Sequence, residues 1–380
     1  MKGDSVTTTG MFATASGLDD VVVAQTTLSD VDGQAGRLVI RGHHVECLVG
    51  KAAFEDVCGL MWTGWMPSVT QREALREALA RARAQAFALL PSLGSVLEAP
   101  AAMDALRGGL ARLWAAGDPY EDQVQLTGAI PVLAAAWHRA RQGRPAIAPD
   151  SRLSHAADFL RMLSGDTPHP ARVDALDAYL CCVVDHGLNA STFVARTVAS
   201  TGSDMVSAVV AAIGALKGPL HGGAPGPVLD MLDAIGAPDR ARPWLEAELA
   251  AGRRIMGMGH RIYRVRDPRA AALERAATVL ERSGAGTDRL PLAREVEREA
   301  ERLLAERRPG RNLRANVEFY TAVLLDAVGM PRTLFSATFA ASRVAGWCAH
   351  VYEQQLVGRL IRPASRYVGA APRAGGPCTP

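Results

Sequence analysis

Aromatic residues make up only 5% of this 380-residue chain, and its charge is almost balanced, with 42 basic residues against 39 acidic ones and a net charge of +3. Stacking platforms for single-stranded nucleic acid are therefore scarce. A general nucleic-acid binder would also show a stronger basic excess. The six cysteines, Cys47, Cys58, Cys181, Cys182, Cys348 and Cys378, contain no CxxC pair. A chain this long needs no disulfide staples, so free thiols in a reducing compartment are expected. The longest apolar runs, 205–216 and 334–341, are shorter than the roughly 20 residues of a membrane span. The opening MKGDSVTTTGMFATASG has one lysine and no apolar core, unlike a signal peptide. No GxGxxG follows a strand, and there is no P-loop and no HExxH. His186, His221 and His260 lack short ligand spacing, and His43 and His44 are adjacent, so no metal site is expected. These absences predict a cytoplasmic protein with neither membrane nor nucleic-acid partner.

What is present is apolar and helical. The 48% apolar content supports a large core in one big domain or two. Residues 1–16 are rich in Ser, Thr and Gly and read as loose. The strand-like material is 21–41, where Asp32-Gly33 suits a turn between runs at 21–28 and 37–40. Ser68-Val-Thr-Gln71 is a capping box opening a helix with Leu75, Leu79, Ala82, Ala86 and Leu89 on one stripe. A helix over 205–217 has Ser203 or Asp204 as cap and Gly218 as stop. Another starts near Pro225 or Pro227 and ends at Gly236. Residues 291–308, dense in Glu and Arg, read as an exposed helix laced with ion pairs. Asn316 caps a helix ending at Gly329, Pro331 starts a long one through Gln355, and the tail from 368 is Gly/Pro-rich. The fold class is mainly α with a short N-terminal β-hairpin.

Several stretches have more chemistry than a core requires. GALKGPLHGGAPGP places His221 among glycines and prolines, a setting with little packing to offer. It is either a bystander at a helix corner or a ligand-facing imidazole beside a helix N-terminus. RRIMGMGHRIYRVRDPRA embeds His260 after Gly257 and Gly259, with six arginines and one acid, Asp267. Such a run is a solvated basic face or a site for a small anion. Arg343 is the only fixed charge between Arg332 and Glu353 and needs a partner if buried. That partner is an acid elsewhere in the chain or a substrate carboxylate. Glu318 follows the Asn316 cap, where the helix dipole favours an acid in any protein. VVDHGLNAST, with Asp185, His186, Asn189 and Ser191, also suits an ordinary turn.

Taken in order, SDVDGQAGRLVIRGHHVECLV…FEDVCGLMWTGWMP, DHGLNASTFVARTVAST, GPLHGGAP, MGMGHRIYRVRDPRA, NVEFY and SRVAGWCAHVYEQ…LIRPASRYVG resemble the citrate synthase family from about residue 17 to 369. The resemblance implies a two-domain helical fold, with a large dimer-forming domain of residues 1–221 and 327–380. A small domain of residues 222–326 would carry CoA contacts and close over the substrate. It implies Claisen condensation of acetyl-CoA with oxaloacetate and hydrolysis of citryl-CoA, an acyl transfer that leaves an alkyl group and requires no cofactor. His221 would polarise the thioester carbonyl, His260 the keto oxygen, and Glu318 would stand at the position of the base. His186, Arg269, Arg343 and, from the partner subunit of a homodimer, Arg362 would hold oxaloacetate. Gly222, Gly257, Met258 and Gly259 would approach CoA, as would Gly223.

Three departures accompany the resemblance. Glu318 stands where the family has Asp, Gly187 where it often has Glu, and GAPGP replaces the more usual GANEA. NVEFY with DHGLN resembles a branch of short bacterial citrate synthase-like and 2-methylcitrate synthase-like proteins. The alternatives are propionyl-CoA as the acyl donor, a silent paralogue binding CoA or dicarboxylates, and a helical scaffold.

Overall fold

The helix Phe335–Val357 is buried along most of its length. It packs against helices Phe54–Thr63, Pro119–Arg141, Pro170–Cys182, Ala190–Ala199 and Met205–Leu216. Its small residues let other backbone come close. A Cβ at Gly346 would lie 2.2 Å from the Val184 carbonyl oxygen, so the 183–186 turn is pressed onto this helix. The computed structural model describes residues 17, 18, 21–222 and 225–369. The start of the chain, Gly223 and the tail with Cys378 lie outside these residues. The five described cysteines are unbridged.

A second group of helices follows His221: Pro225–Ile235, Ala241–Ala250, Pro268–Arg282, Arg289–Arg307 and Val317–Ala327. Pro268–Arg282 packs on Val317–Ala327 and also back onto Pro170–Cys182, joining the two groups. The mainly α class is as expected. Asp204, rather than Ser203, caps Met205–Leu216, accepting from the Ser207 amide at 2.7 Å. The Ser68–Gln71 capping box is present in both directions. No helix among the described residues is long and apolar enough to cross a membrane.

Three local expectations need correction. The first strand is β1, Ser29–Asp32, rather than the run at 21–28. It pairs antiparallel with β2, Arg37–Ile40, and β2 pairs with a short β3, His43–His44. Residues 21–26 have no regular structure and 27–28 form a bend, with the Thr27 amide donating to Glu353 Oε1 at 2.8 Å. The Glu/Arg-rich helix, Arg289–Arg307, is not simply exposed. Leu290, Ala293, Val296, Ala300, Leu303 and Leu304 form a buried stripe opposite the ion pairs. Finally, Pro331 opens a short 3-10 turn, Arg332–Leu334, and the long helix begins at Phe335.

Candidate active site

The start of Val317–Ala327 and the His260 loop are aligned by a two-stranded contact that leaves no clear trace in the sequence. Met258 pairs antiparallel with Ala315. The Gly259 amide donates to Arg314 O at 2.7 Å and the Asn316 amide to Gly257 O at 2.9 Å. Asn316 Nδ2 ties Gly259 O at 2.8 Å, while its Oδ1 accepts from the Glu318 amide at 3.0 Å. His260 and Glu318 thus leave adjacent ends of one bridge. Gly257 and Gly259 have φ of 73° and 88°, values that disfavour any other residue. A Cβ at Gly257 would also meet Phe319 at 2.9 Å, and one at Gly222 would meet Leu216 O at 2.3 Å. Close packing within the chain therefore accounts for these glycines without any ligand.

Each histidine of the cluster is neutral, and its surroundings select a tautomer for two of them. His260 Nδ1 accepts from the Ile262 and Tyr263 amides at 3.0 and 3.1 Å, so its proton sits on Nε2. His221 Nε2 accepts from the Ser191 amide at 3.2 Å, which places its proton on Nδ1. Ser191 Oγ lies 2.8 Å from the same nitrogen and is itself held by Trp347 Nε1 at 3.2 Å. Burial, then the Arg343 charge, pushes His221 down to about 4. Burial and Arg269 bring His260 to about 4 despite Asp267. His186 is lowered further, by burial, Arg269, His260 and Arg343. Its Nε2 lies 3.1 Å from the Tyr263 hydroxyl, and its ring stands edge-on to His260 with centroids 5.6 Å apart.

The two buried arginines differ. Arg269 makes a two-point bond to Asp267, Nε to Oδ1 at 3.1 Å and Nη2 to Oδ2 at 2.8 Å. Asp267 also caps its own helix and accepts from the Val317 amide at 3.2 Å. Arg343 has no such partner: among the described residues no carboxylate comes within 4 Å of it. Its Nε donates to Val183 O at 2.7 Å and its guanidinium lies 4.6 Å from the centre of the Phe339 ring. Burial pulls it down to about 10, opposed by the Asp185 charge and reinforced by Arg269. A guanidinium this deep, without a carboxylate in contact, is expensive unless an anion joins it.

Glu318 is the counterpart on the acidic side. Its Oε2 is shielded from solvent and has no hydrogen-bond partner among the described residues. Burial, reinforced by Asp267 and opposed by Arg269 and Arg343, raises it to about 7. Arg343 shifts His221, His186 and Glu318, and Arg269 shifts His186, His260 and Glu318. The predicted residues 186, 221, 260, 269, 318 and 343 therefore lie within electrostatic reach of one another through these two cations. Arg362 is apart from them, exposed in the extended segment after Gly358. The remaining arginines of the 253–269 run are partly compensated, Arg253 by Glu248 and Arg266 by Glu274 and Glu297. Arg264, Arg308 and Arg311 line a recess of about 400 Å³ with Ala305, Gly310 and Asn312. Tyr263, Trp347 and Asp267 lie inside the motif stretches, yet residue type alone assigned them no role in the site. No group of three or more metal-ligating side chains occurs among the described residues.

Comparison with known proteins bears on this geometry. Residues 17–364 match the family described as citrate synthase, C-terminal domain. A citrate synthase of Haloferax volcanii is 37% identical over 93% of this chain and 95% of its own. A 2-methylcitrate synthase of Mycobacterium tuberculosis H37Rv is 38% identical over 93% of this chain and 90% of its own. The crystal structure of citrate synthase from Thermotoga maritima superposes with a TM-score of 0.82 at 34% identity, covering 93% of this chain and 95% of that one. A citrate synthase of Thermoplasma acidophilum, in ternary complex with carboxymethyl coenzyme A and oxaloacetate, superposes with a TM-score of 0.84 at 27% identity, covering 96% of this chain and 98% of that one.

Proposed function

This chain belongs to the citrate synthase family, and from that premise we propose that it condenses acetyl-CoA with oxaloacetate and releases citrate and CoA. The observation that carries the reading is a buried Arg343 guanidinium with no carboxylate in contact and a Glu318 Oε2 with no hydrogen-bond partner among the described residues, flanked by neutral histidines with defined free N–H groups. Glu318 removes a proton from the acetyl methyl group. At about 7 its carboxylate is a stronger base than an ordinary glutamate, and it is still ionised in part at neutral pH. His221 donates from Nδ1 to the thioester oxygen as charge builds there. The enolate carbon attacks the keto carbon of oxaloacetate, while His260 donates from Nε2 to the keto oxygen as it becomes a hydroxyl, and the proton taken up by Glu318 restores the balance of the ring once the step is complete. Two amide N–H groups on Nδ1 stabilise the density left on that ring. His186, Arg269 and Arg343 hold the diacid, and water then cleaves the citryl-CoA thioester.

The arginine-lined recess at 264 and 308–311 suits the phosphates of CoA. Gly222, Gly257, Met258 and Gly259 run beside the acyl end, and residues 222–326 are read as the lobe that closes on the substrate. The unbridged cysteines support a reducing, cytoplasmic setting. Arg362 is read as completing the site of a partner in a homodimer. Leu356, Val357 and Leu360, 63, 76 and 60% exposed beside it, support an intersubunit role for that segment.

The direct test mixes purified protein with oxaloacetate and either acetyl-CoA or propionyl-CoA and follows free thiol. Turnover with acetyl-CoA is expected. Faster turnover with propionyl-CoA would assign the 2-methylcitrate reaction, since one methyl changes binding by only about 1–3 kcal/mol. No turnover with either would leave a silent binding protein. For Arg362, mixing inactive Arg362→Ala and His221→Ala subunits should restore about a quarter of the activity, because half the dimers would be mixed and each would hold one intact site. A mixture that stays inactive would place Arg362 in its own subunit's site, or in none.

A further inference from the structure

We propose that strand β1 is a spacer that sets the gap between His186 and His260, with Ser29 and Gly33 as its fixed ends. The inference rests on the reading that these two imidazoles grip the keto diacid together. At one end Ser29 Oγ donates to Asp185 Oδ2 and accepts from the Gly187 amide at 3.0 Å. These two residues flank His186. At the other end the Gly33 carbonyl accepts from the Arg264 amide at 2.8 Å. A Cβ at Gly33 would lie 2.3 Å from the Ile262 oxygen and 2.8 Å from its carbon. The turn after β1 therefore lies flat on the backbone that leads away from His260.

The strand between these ends is stiff. It pairs with β2 from Ser29↔Ile40 to Asp32↔Arg37. Asp32 Oδ1 accepts from the Gln34 and Ala35 amides at 3.0 and 2.9 Å, which locks the turn. Leu28, Leu38 and Ile40 are fully buried and root the hairpin in the core. A strand segment of this length spans on the order of 13 Å and stretches little. One end is fixed to the turn carrying His186 and the other to the loop carrying His260. Neither Ser29 nor Gly33 is assigned a contact with substrate, so both are positioning residues.

The test titrates oxaloacetate calorimetrically into wild type, Gly33→Ala, Ser29→Ala, Ser29→Thr and Gln34→Ala, and measures KM for both substrates. A shift of about 1 Å in a positioned group can cost about 100-fold. Gly33→Ala and Ser29→Ala are accordingly expected to weaken oxaloacetate by about tenfold or more, with KM for acetyl-CoA within about twofold. Ser29→Thr, which keeps the hydroxyl, should recover most of the loss, and Gln34→Ala should match wild type. A merely structural role would lower the melting temperature without separating the two KM values. Unchanged oxaloacetate affinity in folded Ser29→Ala, or a parallel rise in both KM values, overturns the spacer. Should Gly33→Ala fail to fold, the Ser29 pair decides. His186→Ala and His260→Ala separate the two levels of argument. If they still bind oxaloacetate normally, the reading of the histidine pair fails. If they lose it while Gly33→Ala and Ser29→Ala bind normally, only the spacer fails.

Discussion

Two carboxylates, the buried Asp185 and the half-buried Glu318 with its shielded Oε2, feel the same Arg343 guanidinium and shift in opposite directions. Burial pushes both up. For Asp185 this is overcome by His350, Arg343 and Ser29, which hold it at about 2. His350 Nε2 donates to Asp185 Oδ1 at 3.2 Å because Arg196 occupies Nδ1 at 3.0 Å. Ser29 and the Gly187 amide occupy Oδ2. Glu318 Oε2 receives no donor, and its carboxyl rises to about 7. The His350 charge together with the hydrogen-bond donors on both oxygens distinguishes the anchored acid from the reactive one.

The largest expected effect breaks the reactive side of this contrast. Glu318→Gln should lower kcat by about 10³-fold in the thiol-release assay, the scale of a general base. In wild type, kcat/KM should rise with pH around 7, as Glu318 loses its proton. No second limb from His221 or His260 is expected above pH 5, because both lie at about 4. Activity in Glu318→Gln within tenfold of wild type would remove the base role.

The second prediction concerns stability at the same residue. The folded Glu318 value of about 7 lies above the ordinary glutamate value of 4.5, so the fold binds this proton more tightly than the unfolded chain. Its stabilisation is complete below about 4.5 and is lost as pH rises through about 7, a change of at most roughly 3 kcal/mol. Glu318→Gln should therefore unfold at higher denaturant than wild type at pH 8 and lose that advantage by pH 5. Equal stability at both pH values would contradict the buried, donorless carboxylate.

Asp185 should behave in the reverse sense and with a smaller effect. Its folded value of about 2 lies below the ordinary aspartate value of 3.8. That stabilisation is present above about 3.8 and is lost as pH falls through about 2, worth roughly 2 kcal/mol. Acid titration of unfolding free energy should show this loss in wild type and lack it in Asp185→Asn. The same slope in both proteins would mean the network around His350 does not hold the charge.

Local patterns read well where one residue suffices. The Ser68 box, the Asp204 cap and the Asn316 cap involve neighbours two to three residues apart, and all three are present. The motif histidines and arginines were also visible, because charge and glycine are unusual beside them. Side chains that orient those groups were not. Trp347 reaches Ser191 from 156 positions away, and Tyr263 reaches His186 from 77. No periodicity records such pairs. The strand placement failed for a related reason, since the Thr27 amide is taken by Glu353, 326 positions on.

Composition and ordered motifs settle the helical class, the family and the residue types available for chemistry, because caps, stripes and glycine-framed histidines are written in near neighbours. Which carboxylate is reactive, which nitrogen of each imidazole carries the proton and which guanidinium lacks a partner depend on the folded chain. Those properties arise from donors and charges brought together across long stretches of sequence, at distances that no linear pattern contains.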